Sequence, residues 1–142
     1  MIGLTKSEEI NNQNKLYLMK IIMLIGAGGF LGSIARFLVS RYIQESLTLN
    51  FPIGTLLVNI CGSLILGIIS GFMERGEIFS QDLRVFLTIG FCGGFTTFST
   101  FAYENVVLLR DGNFLQSALY ASLSVFAGII ALYIGNIISK IF

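Results

Sequence analysis

The chain has 142 residues, of which 54 % are hydrophobic and 12 % charged, with a formal net charge of +1. Soluble domains carry about 25 % charged residues, so a water-facing surface of ordinary extent is excluded, in line with a mean hydropathy of +0.81. Near-zero net charge argues against nucleic-acid or acidic partners, and the absence of His removes the commonest general base and metal ligand.

Residues 1–18 are polar and Asn/Gln-rich, with no clear apolar face. Met19-Lys20-Ile21 reads as a natural beginning, so the tail is expected to be an upstream start or a disordered extension preceding a membrane domain over 19–142. A cleaved signal peptide is the rival reading. It is disfavoured because the apolar run passes through Gly28-Gly29 and stays helical and apolar through Ser33-Ile34-Ala35-Arg36.

Four apolar stretches follow, each about 20 residues or longer and so able to cross roughly 30 Å of hydrocarbon as helix. The first covers residues 21–42 and contains Arg36 and Arg41. The second, 51–73, is uncharged and opens on Pro52 and Gly54, where Pro suits a first helical turn. The third covers 85–109, with Glu104 in its second half; the fourth, 114–139, is again uncharged. The connections at 44–50, 74–84 and 110–113 are short, and Asp111-Gly112-Asn113 is a turn cluster. An all-α integral membrane protein with four transmembrane helices is predicted, with no room for a soluble domain.

Residues 90–101 of the third span are poor material for a regular helix, containing three Gly, four hydroxyl residues and four Phe. Irregular backbone at bilayer depth survives only inside protein or beside an aqueous cavity, and a helix broken at the midplane is a recurring way to build an ion or substrate site. Small residues recur at four-residue spacing: Gly28 and Gly32; Gly67 and Gly71; Gly90 and Gly94; Ala127, Ala131 and Gly135. Such faces let membrane helices approach closely. Packing within the chain explains most of them, and their abundance favours a homo-oligomer.

Four spans put both termini on one side, with Lys15, Lys20, Arg75, Arg84 and Lys140 near the membrane against Arg36, Arg41 and Arg110 opposite. The lean toward cytoplasmic termini is weak. Enzymatic machinery is not visible. Gly26-Ala27-Gly28-Gly29-Phe30-Leu31-Gly32 misses the dinucleotide spacing and follows no strand, and Cys61 and Cys92 have neither redox nor zinc spacing.

The polar groups inside the spans form a pattern instead. Thr55 and Asn59 share one face of the second helix, and Tyr120 and Ser124 share one of the fourth. Their hydroxyl and amide hydrogens are what a dehydrated anion needs. Phe95, Phe98 and Phe101 recur every three residues; positive ring edges can line an anion path. Packing or lipid contact accounts for an isolated Phe ladder, and an interhelical hydrogen bond for a lone Asn. Coincidence with the irregular segment favours a pore. Arg36 either snorkels to the interface or concentrates anions at a vestibule. Glu104 is either a coupling carboxylate or an acid near the water boundary. The alternative function is a small proton-coupled multidrug exporter, which wants a carboxylate deep in an early helix; the first two spans have none. A structural subunit without flux leaves the irregular third span without purpose.

The motifs Gly29-Phe30-Leu31-Gly32-Ser33-Ile34-Ala35-Arg36, Gly54-Thr55-Leu56-Leu57-Val58-Asn59-Ile60-Cys61-Gly62-Ser63 and Gly93-Gly94-Phe95-Thr96-Thr97-Phe98-Ser99-Thr100-Phe101 occur in this order on successive spans. In these the chain resembles the bacterial fluoride channels of the CrcB, or Fluc, family, over about residues 19–142. The resemblance implies passive, fluoride-selective efflux that lowers cytoplasmic fluoride, and a multi-pass protein of the cell (inner or plasma) membrane. It also implies an antiparallel, dual-topology homodimer with two pores. The ring edges facing fluoride match Phe98 and Phe101, and the pore Asn matches Asn59 with Thr55 one turn away. The polar track matches Tyr120 and Ser124, with Gly128 where a further hydroxyl is expected. A structural sodium ion on the dimer axis would be held by the backbone carbonyls matching Gly93 and Thr96. Arg36 matches the vestibule arginine, and Glu104 the acid after the break.

Overall fold

A long apolar run without water must satisfy its own backbone groups, and a helix does so within one segment. The computed structural model describes residues 6–47, 51–76 and 80–141, and over these it is helical with short connections. Helix α1 is Lys6–Leu47, α2 is Ile53–Glu74, and α3 is Gln81–Val85. The third span continues as a π-helix over Phe86–Cys92 and a last turn, α4, at Gly93–Phe95; α5 is Phe98–Arg110 and α6 is Phe114–Ile141. Four helical stretches, Lys6–Leu47, Ile53–Glu74, Gln81–Arg110 and Phe114–Ile141, are long and apolar enough to cross a membrane.

The first span begins earlier than its hydropathy predicts. Of the tail read as an upstream start or a disordered extension, residues 1–5 lie outside the described part, and from Lys6 onward the chain is helical and continuous with α1. Extending an existing helix is far easier than nucleating one, and Glu8 and Glu9 suit its first turn. Residues 48–50 and 77–79 of the predicted connections, and residue 142, also lie outside the described part.

Pro52 supplies no side-chain cap to α2. Gln44, on the neighbouring helix, does the work at a distance. Its Oε1 accepts from Gly54 N–H at 3.2 Å and its Nε2 donates to Phe51 C=O at 3.1 Å. Gln44→Ala is therefore expected to lower the stability of the detergent-solubilised protein by about 1–2 kcal/mol, read as a drop in unfolding temperature. Gln44→Glu, which keeps the acceptor, should lose less; equal stability in all three proteins would remove Gln44 from this role.

The small-residue faces meet one another. A Cβ on Gly28 would lie 2.9 Å from Gly90 Cα, and one on Gly94 would lie 2.9 Å from Gly29 Cα, so α1 and the third span touch backbone to backbone. On α2, Gly67 faces the Leu132 carbonyl of α6, while Gly135 faces the Leu64 carbonyl. Most of these small residues are buried within the chain, as packing predicts. Close approach of backbones is how apolar helices gain contact when lipid tails are equally apolar. Charges tie the ends on the terminal side: Lys20 to Asp82 at 2.5 Å and Lys140 to Glu74 at 3.0 Å. At the opposite end of α5, Gly112 adopts a left-handed conformation (φ 74°), as the Asp111-Gly112-Asn113 cluster predicts.

Candidate functional site

The irregular segment of the third span has a defined local form. The π-helix releases one hydrogen-bond register, α4 ends at Phe95, and Thr96 and Thr97 are extended (φ/ψ −82/157° and −150/125°) before α5 begins at Phe98. Thr96 N–H still reaches Cys92 C=O at 3.0 Å, but the Thr97 N–H leaves the helical ladder and needs another partner. Asn59 on α2 provides it. Its Oδ1 accepts from Thr97 N–H at 2.8 Å, and its Nδ2 donates to Thr97 C=O at 3.1 Å. Thr97 Oγ1 then caps α5 by accepting from Thr100 N–H at 3.3 Å.

This arrangement redirects two amides. A continuous helix would send Thr97 N–H to Gly93 C=O and Thr100 N–H to Thr96 C=O. Here the first goes to Asn59 and the second to Thr97 Oγ1. Gly93 lies exposed on the chain. Thr96 C=O receives Arg36 Nη1 at 3.5 Å, the outer limit of a hydrogen bond.

Below the extended pair lies a carboxylate held by two other helices. Thr55 Oγ1 donates to Glu104 Oε1 at 2.8 Å, and Tyr120 Oη donates to Glu104 Oε2 at 2.6 Å. Tyr120 is fully buried, with 0 % of its surface exposed. A run of aromatic rings passes the same point: Phe98 to Phe101 at 5.6 Å, Phe101 to Tyr120 at 5.1 Å, and Tyr120 to Phe51 at 5.6 Å between centroids. A cleft of about 870 Å³ opens beside the cluster, lined by Arg36, Gln44, Thr55, Thr97, Thr100 and Glu104 among others.

The predicted residues therefore divide. Thr55, Tyr120 and Glu104 meet directly; Asn59 meets the extended segment; Arg36 stands at the cleft and touches Thr96. Ser124 lies one turn beyond Tyr120, and its Oγ is buried with no hydrogen-bond partner among the described residues. The Phe ladder does not survive as a regular ladder, because spacing by three presumes an uninterrupted helix. Phe95 is buried and stacked on Phe91 at 5.8 Å, Phe101 is half-buried, and Phe98 is 79 % exposed. Two groups escaped the reading of the sequence. One is Thr97, whose backbone rather than side chain is the partner of Asn59; the other is the Ser117 Oγ–Asn105 Oδ1 bond at 2.9 Å joining α6 to α5. The Thr97-Phe98-Ser99-Thr100 string, with a capping hydroxyl two residues after a Gly-Gly-Phe turn, was the available signal for the first.

Fold and site together define a multi-pass, four-helix membrane protein whose third span carries extended peptides beside a polar and aromatic cluster. Residues 23–136 match the profile of the family described as CrcB-like protein, Camphor Resistance (CrcB), and the chain belongs to that family. Among similar proteins, the fluoride-specific ion channel FluC of Chlorobium chlorochromatii is 48 % identical over 119 residues, covering 84 % of this chain and 92 % of the relative. FluC of Chlorobaculum tepidum is 45 % identical over 123 residues, or 87 % and 97 % of the two chains. FluC 1 of Methanosarcina acetivorans is 44 % identical over 119 residues, or 84 % and 90 %. These relatives are named as ion channels and not as enzymes.

Proposed function

We propose that this chain forms a fluoride-selective channel through which fluoride leaves the cell passively, lowering its cytoplasmic concentration. The observation that carries the reading is the 48 % identity to a fluoride-specific ion channel over 92 % of that relative's length. Chemistry at the site agrees with it. Fluoride is small and strongly hydrated, so a pore must replace its water with several donors, each weak enough to let it go. Asn59, Thr55, Tyr120 and Ser124 are the proposed donors, and the ring edges of Phe98 and Phe101 the proposed apolar lining. Ser124 Oγ has no partner among the described residues. Asn59 Nδ2 carries a second hydrogen beyond the one given to Thr97. The Thr55 and Tyr120 hydroxyls point at Glu104, so an entering anion competes with that carboxylate for their hydrogens. Arg36 is the proposed vestibule charge that raises local anion concentration.

The proposed working unit is an antiparallel, dual-topology homodimer in the cell membrane, with two pores and the third helix broken at the bilayer midplane. Its main support is the position of Phe98, whose ring is 79 % exposed on the single chain. A path along that ring is enclosed only when a second copy covers the face. The weak bias of basic residues between the two sides is compatible with insertion in both orientations.

A structural sodium ion fits the donor set. Hard cations are held by oxygen, and backbone carbonyls serve in membrane ion sites. Among the described residues no group of three or more His, Cys, Asp or Glu could hold a metal ion, so the carbonyls are the relevant ligands. Gly93 and Thr96, whose helical donors are redirected, are the residues that would hold it. The Arg36 contact to Thr96 C=O is long, and a carbonyl has two lone pairs. When bound, the ion supplies fixed positive charge; the chain's own residues do the rest, releasing the carbonyls and offering hydrogens along the path.

The test is efflux from proteoliposomes, with fluoride and chloride electrodes side by side and a potassium ionophore to clamp voltage. Fast fluoride release with negligible chloride release is expected. Equal release of both ions would keep a pore and remove its selectivity, and silence from well-folded protein would overturn the reading.

A further inference from the structure

We infer that Asn59 is a positioning residue whose carboxamide clamps the extended Thr97 peptide and thereby sets where α5, and with it Phe98, begins. The inference rests on the channel reading only in its flux arm. Both main-chain groups of Thr97 are used by one side chain, across 38 positions of sequence, at 2.8 Å and 3.1 Å. This is the pairing that a neighbouring strand gives an extended peptide, provided here by a single amide. Thr97 is buried, so without the carboxamide its N–H would be left dry, which is strongly unfavourable; its C=O, at the N-cap of α5, keeps the first intrahelical bond. The carboxamide's orientation follows from the partners, since a backbone N–H only donates and a C=O only accepts.

Two consequences follow from the same geometry. Thr97, held by its backbone, keeps Oγ1 placed to cap α5 through Thr100 N–H. Its own N–H, committed to Asn59, is withheld from Gly93 C=O. A residue that looks like a pore donor is thus first a fastener of the backbone around it, with one Nδ2 hydrogen remaining for an ion.

Amide hydrogen exchange, resolved by residue with NMR on the full chain in detergent, tests this. Asn59→Ala should speed exchange at Thr97 by about tenfold or more, while α2 beyond Gly62 and α5 beyond Ala102 keep their protection. Asn59→Asp still accepts from Thr97 N–H and should preserve that protection. Unchanged exchange at Thr97 in Asn59→Ala, or protection lost along the whole of α2, would overturn the clamp. Should Asn59→Ala not fold, a scalar coupling across the hydrogen bond between Thr97 ¹⁵N and Asn59 ¹³Cγ in the unaltered protein decides: its presence supports the clamp and its absence dismisses it. In liposomes Asn59→Ala should lose fluoride flux; full flux with an unprotected Thr97 would detach the clamp from conduction. An unaltered protein without flux would instead sink the channel reading, and exchange alone would then judge the clamp.

Discussion

Phe98→Ile and Phe101→Ile should each lower fluoride flux in proteoliposomes by at least about tenfold, the equivalent of roughly 1.4 kcal/mol, with the proposed dimer still assembled. The argument turns on what the two rings do besides lining a path. Phe98 is 79 % exposed on the chain, so its removal takes away little that holds the fold together. Ile is similarly apolar but has no electropositive ring edge, so a change in flux reports that edge and not hydrophobicity. Phe101 packs on Tyr120 at 5.1 Å, and its replacement also disturbs the ring whose hydroxyl bonds Glu104. Phe98→Ile is accordingly the cleaner of the two. Undiminished flux in both variants would separate the aromatic run from the conduction path.

Gly67→Val should cost the protein its fold. At Gly67 a Cβ would run into the Leu132 carbonyl, and would stand 3.0 Å from Leu132 Cα. Backbone cannot swing aside as a side chain can, so α2 and α6 must separate along the face they share. Overpacking of a tight core typically costs about 1–3 kcal/mol, and here a branched side chain enters a backbone-to-backbone contact. The expected result is aggregation in place of a single peak on size-exclusion chromatography in detergent. Gly67→Ala should give a protein of lowered unfolding temperature. Gly26→Ala is the matched control: nothing lies within 4 Å of its Cβ, and Ala favours a helix by about 1 kcal/mol over Gly. Equal behaviour of Gly67→Val and Gly26→Ala would mean that α2 and α6 do not pack as described.

Hydrophobic run length made the four spans legible, because a lipid-facing helix cannot hide its composition. The boundaries were less so. Residues from Lys6 are helical although they carry no apolar face, because an existing helix continues through polar residues with little cost. The same logic carried α1 to Leu47, which put Gln44 on a helix instead of in a connection and let it cap α2. The small-residue spacing was visible, but its partners were not: Gly28 finds Gly90 and Gly67 finds Leu132 only once the helices are placed.

For the site, residue type and spacing singled out Thr55, Asn59, Tyr120, Ser124 and the Phe-rich segment, since dehydrated anions need hydrogens; the Gly93 and Thr96 carbonyls came only with the family resemblance. Spacing even suggested where the third span ceases to be regular, because Gly and hydroxyl residues compete with the helix for its own hydrogen bonds. Tertiary structure decided how these residues pair. Periodicity assumes one helix, so it could not foresee that Phe95 turns inward while Phe98 turns out across two extended peptides. Nor could it foresee that Glu104 is held between Thr55 and Tyr120, or that Asn59 is spent on a backbone. Hydrogen bonds between helices depend on relative rotation and height, quantities set by backbone contacts among glycines far away in the chain, and no local pattern encodes them.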